Sequence, residues 1–483
     1  MSDEILINIT PPETRVAVLE NGVLQELIIE RQRKRDIVGN VYRGEVCRIM
    51  PGIQAAFVDI GIGRAGFLHA SDVLVSGETP SDEKGIERFL QQGQKVVVQV
   101  LKAPIGTKGP RLTMNLSIPS RYQVFLPYSE KLALSQQLEG ETERERLLAC
   151  MEVFKEQGYS GGYIARTASE GVEEASIRAD MLFLNKLWEE ISLQIGEVSL
   201  GLIYEDLPLA LRILRDWYQT SVTKIVIDSR TNFERMVDFS QKFMPEVEGL
   251  LELYRGHRPL FDMYSIESEI KAALERKVPL KSGGHLVFDQ TEAMTTVDVN
   301  TGSYLGRGNQ EQTVFKTNME AAQVTARQLR LRNLGGIIII DFIDMQDDGH
   351  KVAVLNALEK AMSNDHAKYT ISSVSELGLV EMTRMRTRES LERVMCEPCP
   401  ICSGSGRVRT PETTCYEIFR EIIRDARQYE AKELLVLASN AVVEMLLDEE
   451  STTLADLESF VGIRIRFRAE NEYTQEQYDV VLV

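Results

Sequence analysis

The amino-acid sequence predicts a multidomain α/β protein that includes a small β-barrel of the OB type. The chain has 483 residues, enough for roughly three domains at about 150 residues each. Five short strand patterns separated by glycine-rich turns lie between residues 37 and 118, as expected for an OB barrel. From residue 285 onward, strand and helix patterns alternate, which is typical of a layered α/β domain.

The predicted elements follow one another in blocks. The first 35 residues have strand patterns, and Asn21-Gly22 between them is a strong hairpin signal. Helical spacing dominates residues 140–275, with helices over 142–157 and 179–195 and a buried strand over 222–227. The barrel strands are predicted at 38–46, 55–60, 66–68, 95–102 and 111–116, and the last large block has strands at 286–288, 295–299 and 337–340 around a helix at 311–332.

Composition restricts the class of protein. Hydrophobic residues make up 43% and charged residues 27%, which is ordinary for a folded chain and excludes wholesale disorder. Apolar runs are far too short to cross a bilayer, and the N-terminus has no secretory signal pattern. Six cysteines, three of them at 396, 399 and 402, favour a reduced compartment and a local thiolate site. We therefore expect a cytoplasmic protein without a membrane segment.

The charge is large and unevenly distributed. The formal net charge of -18, taken alone, argues against nucleic acid as a partner. However, residues 95–129 contain five basic residues and no acid, whereas residues 409–483 contain 8 basic and 16 acidic residues, a net of -8. The global value therefore hides a possible basic surface, and we expect any nucleic-acid binding to be confined to it and to be strongly salt-dependent.

Acidic residues follow two of the predicted strands. Asp298 and Asn300 lie two positions apart, so they share one face of their strand, and Asp341 ends the four-isoleucine strand shortly before Asp344. Ligands gather outside the carboxyl ends of strands in open α/β sheets, and carboxylates there can hold Mg²⁺. A lone acid such as Asp228 is more often solvated or a helix cap, so the residues alone leave both interpretations open.

Three further patterns have competing interpretations. Arg327 and Arg330 share a helix face and could contact phosphates, but their spacing favours a solvated face. Phe57 and Phe67 could stack on single-stranded bases, although phenylalanines in apolar strands are usually core. The five histidines show no ligand spacing, and we assign them no chemistry.

The cysteine pattern favours a zinc site. Cys399-x-x-Cys402 with flanking glycines is a good half-site, but tetrahedral zinc needs four ligands. Cys396 and the distant Cys415 could complete it, or two chains could each supply one pair. An iron–sulfur cluster lacks a nearby fourth cysteine. The two remaining cysteines, Cys47 and Cys150, are predicted to be inert core thiols.

Six motifs in order give the chain a recognisable resemblance. The sequence resembles the ribonuclease E/G family from end to end, and the combination is far more specific than any single motif. The motifs occupy residues 55–61, 166–168, 296–300, 327–336, 340–345 and 399–406.

The resemblance implies a domain organisation that spacing does not reveal. An RNase H-like domain would be split by the inserted OB barrel and by a 5′-sensor region, and a DNase I-like catalytic domain would follow. The implied boundaries are 1–36 and 212–274 (RNase H-like), 37–118 (OB-fold RNA-binding barrel), 119–211 (5′ sensor), 275–394 (DNase I-like), 395–408 (zinc link) and 409–483 (small C-terminal α/β domain).

The resemblance also implies roles for individual residues. Asp298 and Asp341 would be Mg²⁺ ligands, and Asn300 would position them or the scissile phosphate. One departure bears on the sensor, because Gln136-Gln137 stands where the best-studied branch of the family has a basic pair. The remaining implied roles are 5′-monophosphate binding by Arg166 and Thr167, RNA binding by Phe57, Phe67 and Lys108, and a Zn²⁺ shared between two protomers through Cys399 and Cys402, with Cys396 a bystander.

The implied function is a Mg²⁺-dependent endoribonuclease that acts on single-stranded RNA, including ribosomal RNA precursors and messenger RNA. Water activated by the metal would leave 5′-phosphate and 3′-hydroxyl ends, and a 5′-monophosphate on the substrate would favour cleavage. The enzyme would be a homodimer or a higher homo-oligomer. The main alternative is a non-catalytic, zinc-containing RNA-binding regulator, and an iron–sulfur redox protein is a third hypothesis.

Overall fold

The structure is a computed structural model that describes residues 3–33, 35–74, 85–104, 108–138, 140–218, 221–301, 310–375, 377–429 and 432–483. The chain divides into two compact units, Met1–Val394 and Met395–Val483. Among the described residues, no helix combines the length and the apolar character needed to cross a membrane.

The first unit begins with an antiparallel three-stranded segment. Its strands are β1 (Asp3–Ile9), β2 (Glu13–Glu20) and β3 (Val23–Arg31). Asn21 and Gly22 both have positive φ, at 51° and 77°, as a two-residue hairpin turn of type I′ requires. The predicted hairpin is confirmed.

A closed five-stranded barrel follows. Strand β4 pairs with both β5 and β7, so the sheet order β4-β5-β6-β8-β7 closes on itself. Gly66 is required by close packing, because a Cβ there would lie 2.5 Å from Leu112 Cδ1. The barrel confirms the predicted OB architecture. Its strands are β4 (Val41–Met50), β5 (Ala55–Asp59), β6 (Gly66–His69), β7 (Lys95–Lys102) and β8 (Arg111–Thr113).

Residues 118–204 form a small sheet packed against two helices. The sheet order is β11-β12-β10-β9, and a further strand, β13, pairs with barrel strand β4. Both predicted helices are confirmed, although the second begins earlier than expected. The elements are β9 (Ile118–Pro119), β10 (Gln123–Leu126), β11 (Leu132–Leu134), α1 (Glu141–Glu156), β12 (Gly162–Ala165), α2 (Glu174–Glu197) and β13 (Gly201–Tyr204).

The next segment returns to the N-terminal strands. Strand β14 pairs in parallel with β1 and with β15, which gives one sheet of order β15-β14-β1-β2-β3. Asp228, which follows β14, accepts a hydrogen bond from the Ile9 amide at 2.9 Å and so ties the two segments together. The elements are α3 (Leu209–Trp217), β14 (Val222–Ile227), α4 (Arg230–Phe243), α5 (Pro245–Glu248), β15 (Leu251–Leu253), α6 (Leu260–Met263) and α7 (Ile266–Leu274).

A six-stranded mixed sheet completes the first unit. Its order is β16-β17-β18-β19-β21-β20, and β18 and β19 are parallel and joined by helix α8, as the predicted strand–helix–strand layout requires. The elements are β16 (Lys277–Pro279), β17 (His285–Gln290), β18 (Met294–Asn300), α8 (Gln310–Leu331), β19 (Gly336–Asp341), α9 (Asp348–Met362), β20 (Tyr369–Val374), β21 (Leu379–Arg384) and α10 (Leu391–Met395).

The second unit is a small α/β domain, as predicted. Three strands of order β23-β22-β24 pack against helices around a core that includes Ile418 and Val436. Its elements are α11 (Pro411–Gln428), β22 (Glu433–Ala438), α12 (Asn440–Leu447), α13 (Ser451–Val461), β23 (Arg464–Ala469) and β24 (Tyr478–Leu482).

Candidate functional site

Two carboxylates lie side by side on neighbouring parallel strands. Asp298 in β18 and Asp341 in β19 are directly paired in the sheet register. Their chain neighbours Val297 and Ile340 are fully buried, whereas both acids are exposed. Neighbouring strands in a sheet lie about 4.8 Å apart, so one ion could contact both carboxylates.

Asn300 belongs to the same cluster. Its Nδ2 donates a hydrogen bond to Asp298 Oδ2 at 2.7 Å, which is consistent with the predicted placement of the two side chains on one face. An amide has two donor hydrogens, so the second stays available to another acceptor at the sheet edge. The structure therefore brings together Asp298, Asn300 and Asp341 as the sequence predicts.

The electrostatics of this cluster favour a cation. Partial burial and the negative charges of Asp298 and Asp344 raise the pKa of Asp341. Among the described residues, no basic side chain forms an ion pair with any of these three acids. Mg²⁺ is bound in proteins through one or two carboxylates with waters completing its shell. The oxygen ligands present therefore fit the magnesium ion that the sequence predicts.

Asn318 positions the loop that carries Asp344, a role that the sequence did not reveal. This fully buried helix residue donates from Nδ2 to the Ile343 carbonyl at 2.7 Å and accepts from the Ile343 amide at 3.1 Å. In the sequence, the signal for this role was an amide side chain on the buried face of a helix.

A second acidic cluster lies in the same part of the unit. Ligand atoms of Glu311, Asp347 and His350 lie within 4.8 Å of one another, and the His350 ring stacks on Phe315 with centroids 4.1 Å apart. Sequence spacing gave no sign of this cluster, because Glu311 lies in α8 whereas Asp347 and His350 lie at the start of α9.

The barrel presents an aromatic surface. Phe57 and Phe67 are paired across β5 and β6, and their ring centroids are 6.0 Å apart. Both are partly exposed, while the alternating residues Val58 and Leu68 fill the interior. The core interpretation of the two phenylalanines is therefore wrong, and their rings are accessible to bases.

Basic and aromatic residues extend this surface. Lys108 is exposed, as its predicted role requires. Two neighbours were missed by sequence reasoning: Arg111, paired with Phe67 in the register, and His69, whose ring stacks 6.5 Å from that of Phe67. Aromatic rings beside basic side chains are the arrangement with which OB barrels bind single strands.

Arg166, the predicted 5′-phosphate ligand, is already engaged. Its Nη1 donates to the Ser120 carbonyl at 2.6 Å, and its Nη2 lies 2.9 Å from Asp216 Oδ1. Burial tends to raise the pKa of Asp216, but the guanidinium groups of Arg215 and Arg166 lower it overall. A phosphate at Arg166 must therefore compete with a charged carboxylate.

The other residues that the resemblance connects with 5′-phosphate binding are Thr167 and the Gln136-Gln137 pair. Thr167 is exposed and begins a short 3-10 turn directly after Arg166. Gln136 and Gln137 are exposed after β11 and supply no charge. The residues predicted for the phosphate pocket are thus present, and positions 136 and 137 carry no charge.

The cysteine turn has the features of a thiolate site. Backbone amides of Gly406 and Gly404 lower the pKa of Cys402, and Cys399 is exposed. Cys415 is fully buried, so the hypothesis that it completes the zinc site is wrong. Two soft ligands at this spacing fit half of a zinc shell.

Two sequence interpretations need correction. Arg330 is buried against Glu20 and Glu26 at 2.8 and 3.0 Å, and Arg327 donates to the Leu24 carbonyl at 2.9 Å. They fasten α8 to the N-terminal sheet, so neither the phosphate nor the solvated interpretation is right. Cys47 is exposed and is not a core thiol, whereas Cys150 is buried as predicted.

The fold and the site define a multidomain RNA-binding protein with an acidic, metal-compatible sheet edge. Residues 117–387 match the Ribonuclease E/G family, residues 35–114 match the S1 RNA binding domain, and residues 398–482 match the RNase E/G, Thioredoxin-like domain. The S1 match supports RNA binding by the barrel, so the argument from net charge against a nucleic-acid partner is wrong.

Curated relatives agree with these matches. The chain is 50% identical to Ribonuclease G of Salmonella typhimurium (strain SL1344) over 491 residues, covering 100% of both chains. It is 48% identical to Ribonuclease G of Haemophilus influenzae, covering 99% of each, and 34% identical to Ribonuclease E of Escherichia coli (strain K12), covering 99% of this chain and 46% of that one. The chain belongs to the ribonuclease E/G family, and the predicted resemblance is confirmed.

Proposed function

We propose that the chain is a Mg²⁺-dependent endoribonuclease that cleaves single-stranded RNA, including ribosomal RNA precursors and messenger RNA. The endoribonuclease class rests on membership of the family and on full-length relatives named Ribonuclease G. The metal, the substrate form and the products are supported by the geometry of the site. The observation that carries the proposal is the direct register pairing of Asp298 with Asp341.

The residues at the sheet edge have distinct roles in this mechanism. Bound Mg²⁺ supplies activation of an attacking water and stabilisation of negative charge on the phosphate. Asp298 and Asp341 hold the ion, and Asn300 fixes the Asp298 carboxylate through its 2.7 Å hydrogen bond. Attack by external water leaves the ribose 2′-hydroxyl unused, so the products carry 5′-phosphate and 3′-hydroxyl ends.

The barrel selects single-stranded RNA. Phe57 and Phe67 offer ring faces that unpaired bases can stack on, whereas bases in a paired helix are already stacked. Lys108 and Arg111 are both exposed and attract the phosphate backbone, with Arg111 also paired to Asp72 at 3.1 Å. This basic surface is local, so binding weakens steeply as salt concentration rises.

A 5′-monophosphate favours cleavage through Arg166 and Thr167. Charge-assisted hydrogen bonds from a guanidinium to a phosphate are strong and directional. The competing Asp216 carboxylate and the neutral Gln136-Gln137 pair both reduce the increase in cleavage that a 5′-monophosphate gives. We therefore expect the 5′-monophosphate to stimulate the enzyme without being required.

Cys399 and Cys402 bind a structural Zn²⁺ shared between two protomers. Tetrahedral zinc needs four ligands, and two such turns provide them, which makes the enzyme a homodimer or a higher oligomer. Cys399→Ser is expected to lower the solution mass measured by light scattering and to remove bound zinc. Cys396→Ser, the matched control, is expected to keep the solution mass and the bound zinc of the unmodified protein. An unchanged mass for Cys399→Ser means that the shared link is wrong.

The finer domain assignments are part of the same proposal. The sheet of order β15-β14-β1-β2-β3 is RNase H-like, residues 119–211 form the 5′ sensor, and the mixed sheet of residues 275–394 is DNase I-like. The mixed parallel and antiparallel pairing of both sheets supports these assignments. The sparse cysteines support a cytoplasmic location.

Cleavage of one oligoribonucleotide tests the proposal against its rival. With Mg²⁺, the full-length protein is expected to cut a single-stranded 5′-hydroxyl oligonucleotide internally and to leave 5′-phosphate and 3′-hydroxyl ends, whereas excess chelator stops the reaction. A non-catalytic RNA-binding regulator would bind the same oligonucleotide and give no products with either treatment.

A further inference from the structure

A cavity of about 690 Å³ lies within the first unit. Strand β3, helix α3, the turn between β5 and β6, and the segment after β21 contribute to its walls. Its size is within the range of sites that bind small ligands. Five arginines and four acids line it, together with apolar residues such as Ile37 and Leu391.

The acids in the wall are mostly neutralised by neighbouring arginines. Arg212 holds Glu30 and Asp36 at 2.5 and 2.9 Å. Arg215 and Arg166 hold Asp216, each at 2.9 Å. Three of the four lining acids are therefore satisfied by arginine partners, and the lining residue Arg35 pairs with Glu205 at 2.9 Å.

Arg388 lines the cavity beside Trp217. Its guanidinium lies 5.6 Å from the centroid of the Trp217 ring. Within the described part of the chain this guanidinium makes no hydrogen bond and no ion pair, while the Arg388 carbonyl accepts a hydrogen bond from Asn333 Nδ2 at 3.0 Å. Burial lowers its pKa, with the charges of Glu26 and Asp36 acting in the opposite direction. The Arg388 side chain is half-buried, so its charge is partly removed from water, and an anion in the cavity would offset that cost.

The position of the cavity points to a nucleotide. Asp216 in its wall is the partner of Arg166, the predicted 5′-phosphate ligand. On another side, Ile62 and Arg64 belong to the turn that joins the strands of Phe57 and Phe67. The cavity thus borders both regions that handle RNA, and its apolar walls suit a base and a sugar.

We propose that this cavity is a second phosphate site, distinct from the Arg166 pocket, in which Arg388 binds the phosphate of a nucleotide. The nucleotide is either part of the bound RNA strand or a free mononucleotide. The site goes beyond the proposed function and is independent of the Mg²⁺ acids.

Tryptophan fluorescence offers a direct readout. The chain has two tryptophans, and Trp188→Phe leaves Trp217 as the reporter in the cavity wall. AMP is expected to change Trp217 fluorescence with saturation, and calorimetry on the same samples measures the affinity independently. Mg²⁺ is omitted from both measurements, so their outcome does not depend on whether Asp298 and Asp341 bind the catalytic metal.

Variants separate the cavity from the Arg166 pocket. Arg388→Gln is expected to weaken AMP binding at least about tenfold, the loss typical of a charged hydrogen bond. Arg388→Lys keeps the positive charge and is expected to lose less affinity for AMP than Arg388→Gln. The exposed control Arg230→Gln is expected to bind normally, and Arg166→Gln is expected to retain the Trp217 response.

Two results would overturn the proposal: AMP binding that survives Arg388→Gln unchanged, or binding that depends on Arg166 alone. A 5′-hydroxyl oligoribonucleotide then identifies the source of the phosphate. Displacement of AMP by the oligonucleotide assigns the site to the RNA strand. Simultaneous binding assigns it to a free nucleotide, and both outcomes support the second phosphate site.

Discussion

The two predicted phosphate-handling regions differ in whether their charges are already balanced. At the sheet edge, Asp298 and Asp341 stand next to each other, and within the described residues neither has a basic partner. In the sensor region, Arg166 is already paired with Asp216. At the sheet edge, an added cation would relieve the repulsion between the two carboxylates. In the sensor region, a bound phosphate must replace the Asp216 carboxylate at Arg166. The proposed need for a metal and the proposed optional role of a 5′-phosphate both rest on this difference.

Neutralising an acid at the sheet edge is expected to have the largest effect. Asp298→Asn or Asp341→Asn removes a metal ligand, and we expect the cleavage rate to fall at least about 10³-fold, as for other losses of a central catalytic group. RNA affinity, measured by fluorescence anisotropy, is expected to stay within about twofold, because the barrel is untouched.

Asp348→Asn is the matched control for these variants. This acid lies in the same domain, but its side chain is 90% exposed and pairs with Lys351. It is expected to leave cleavage unchanged. Near-normal cleavage by either sheet-edge variant at the same Mg²⁺ concentration is incompatible with the assigned role of that acid.

Neutralising the acid that pairs with Arg166 is expected to have a smaller and opposite effect. Asp216→Asn removes the competitor for Arg166, so the ratio of cleavage rates for 5′-monophosphate over 5′-hydroxyl RNA is expected to rise severalfold. Arg166→Gln is expected to bring that ratio close to one, because it removes the charged hydrogen bond to the 5′-phosphate.

Single-turnover rates on two oligonucleotides that differ only at the 5′ end give this ratio. Cleavage of the 5′-hydroxyl RNA serves as the internal control and is expected to change little in both variants. If Asp216→Asn lowers the ratio instead, the carboxylate supports phosphate binding, and the proposed competition is wrong.

Local signals in the sequence predicted the parts of the site that lie within short segments. Alternation along β18 and the isoleucine run of β19 placed Asp298, Asn300 and Asp341, because side-chain direction in a strand follows from position alone. The Asn21-Gly22 turn was also predictable from a local signal, because both residues tolerate positive φ.

Features that depend on distant contacts were not predictable. The pairing of β1 with β14 joins residues 3–7 to residues 222–227, and no local pattern encodes it. Arg330 looked like a surface residue, but its partners Glu20 and Glu26 come from the other end of the unit. The pairing of Arg166 with Asp216 was hidden for the same reason, and it alters the expected strength of phosphate sensing.

Binding of Mn²⁺, followed by electron paramagnetic resonance and competed with Mg²⁺, tests most directly the claim that the sheet edge is the metal site. The structure offers a rival in the Glu311, Asp347 and His350 cluster. We predict that Mg²⁺-competable Mn²⁺ binding is lost in the Asp298→Asn, Asp341→Asn double variant and retained in His350→Ala. Retention in the double variant with loss in His350→Ala would contradict the account.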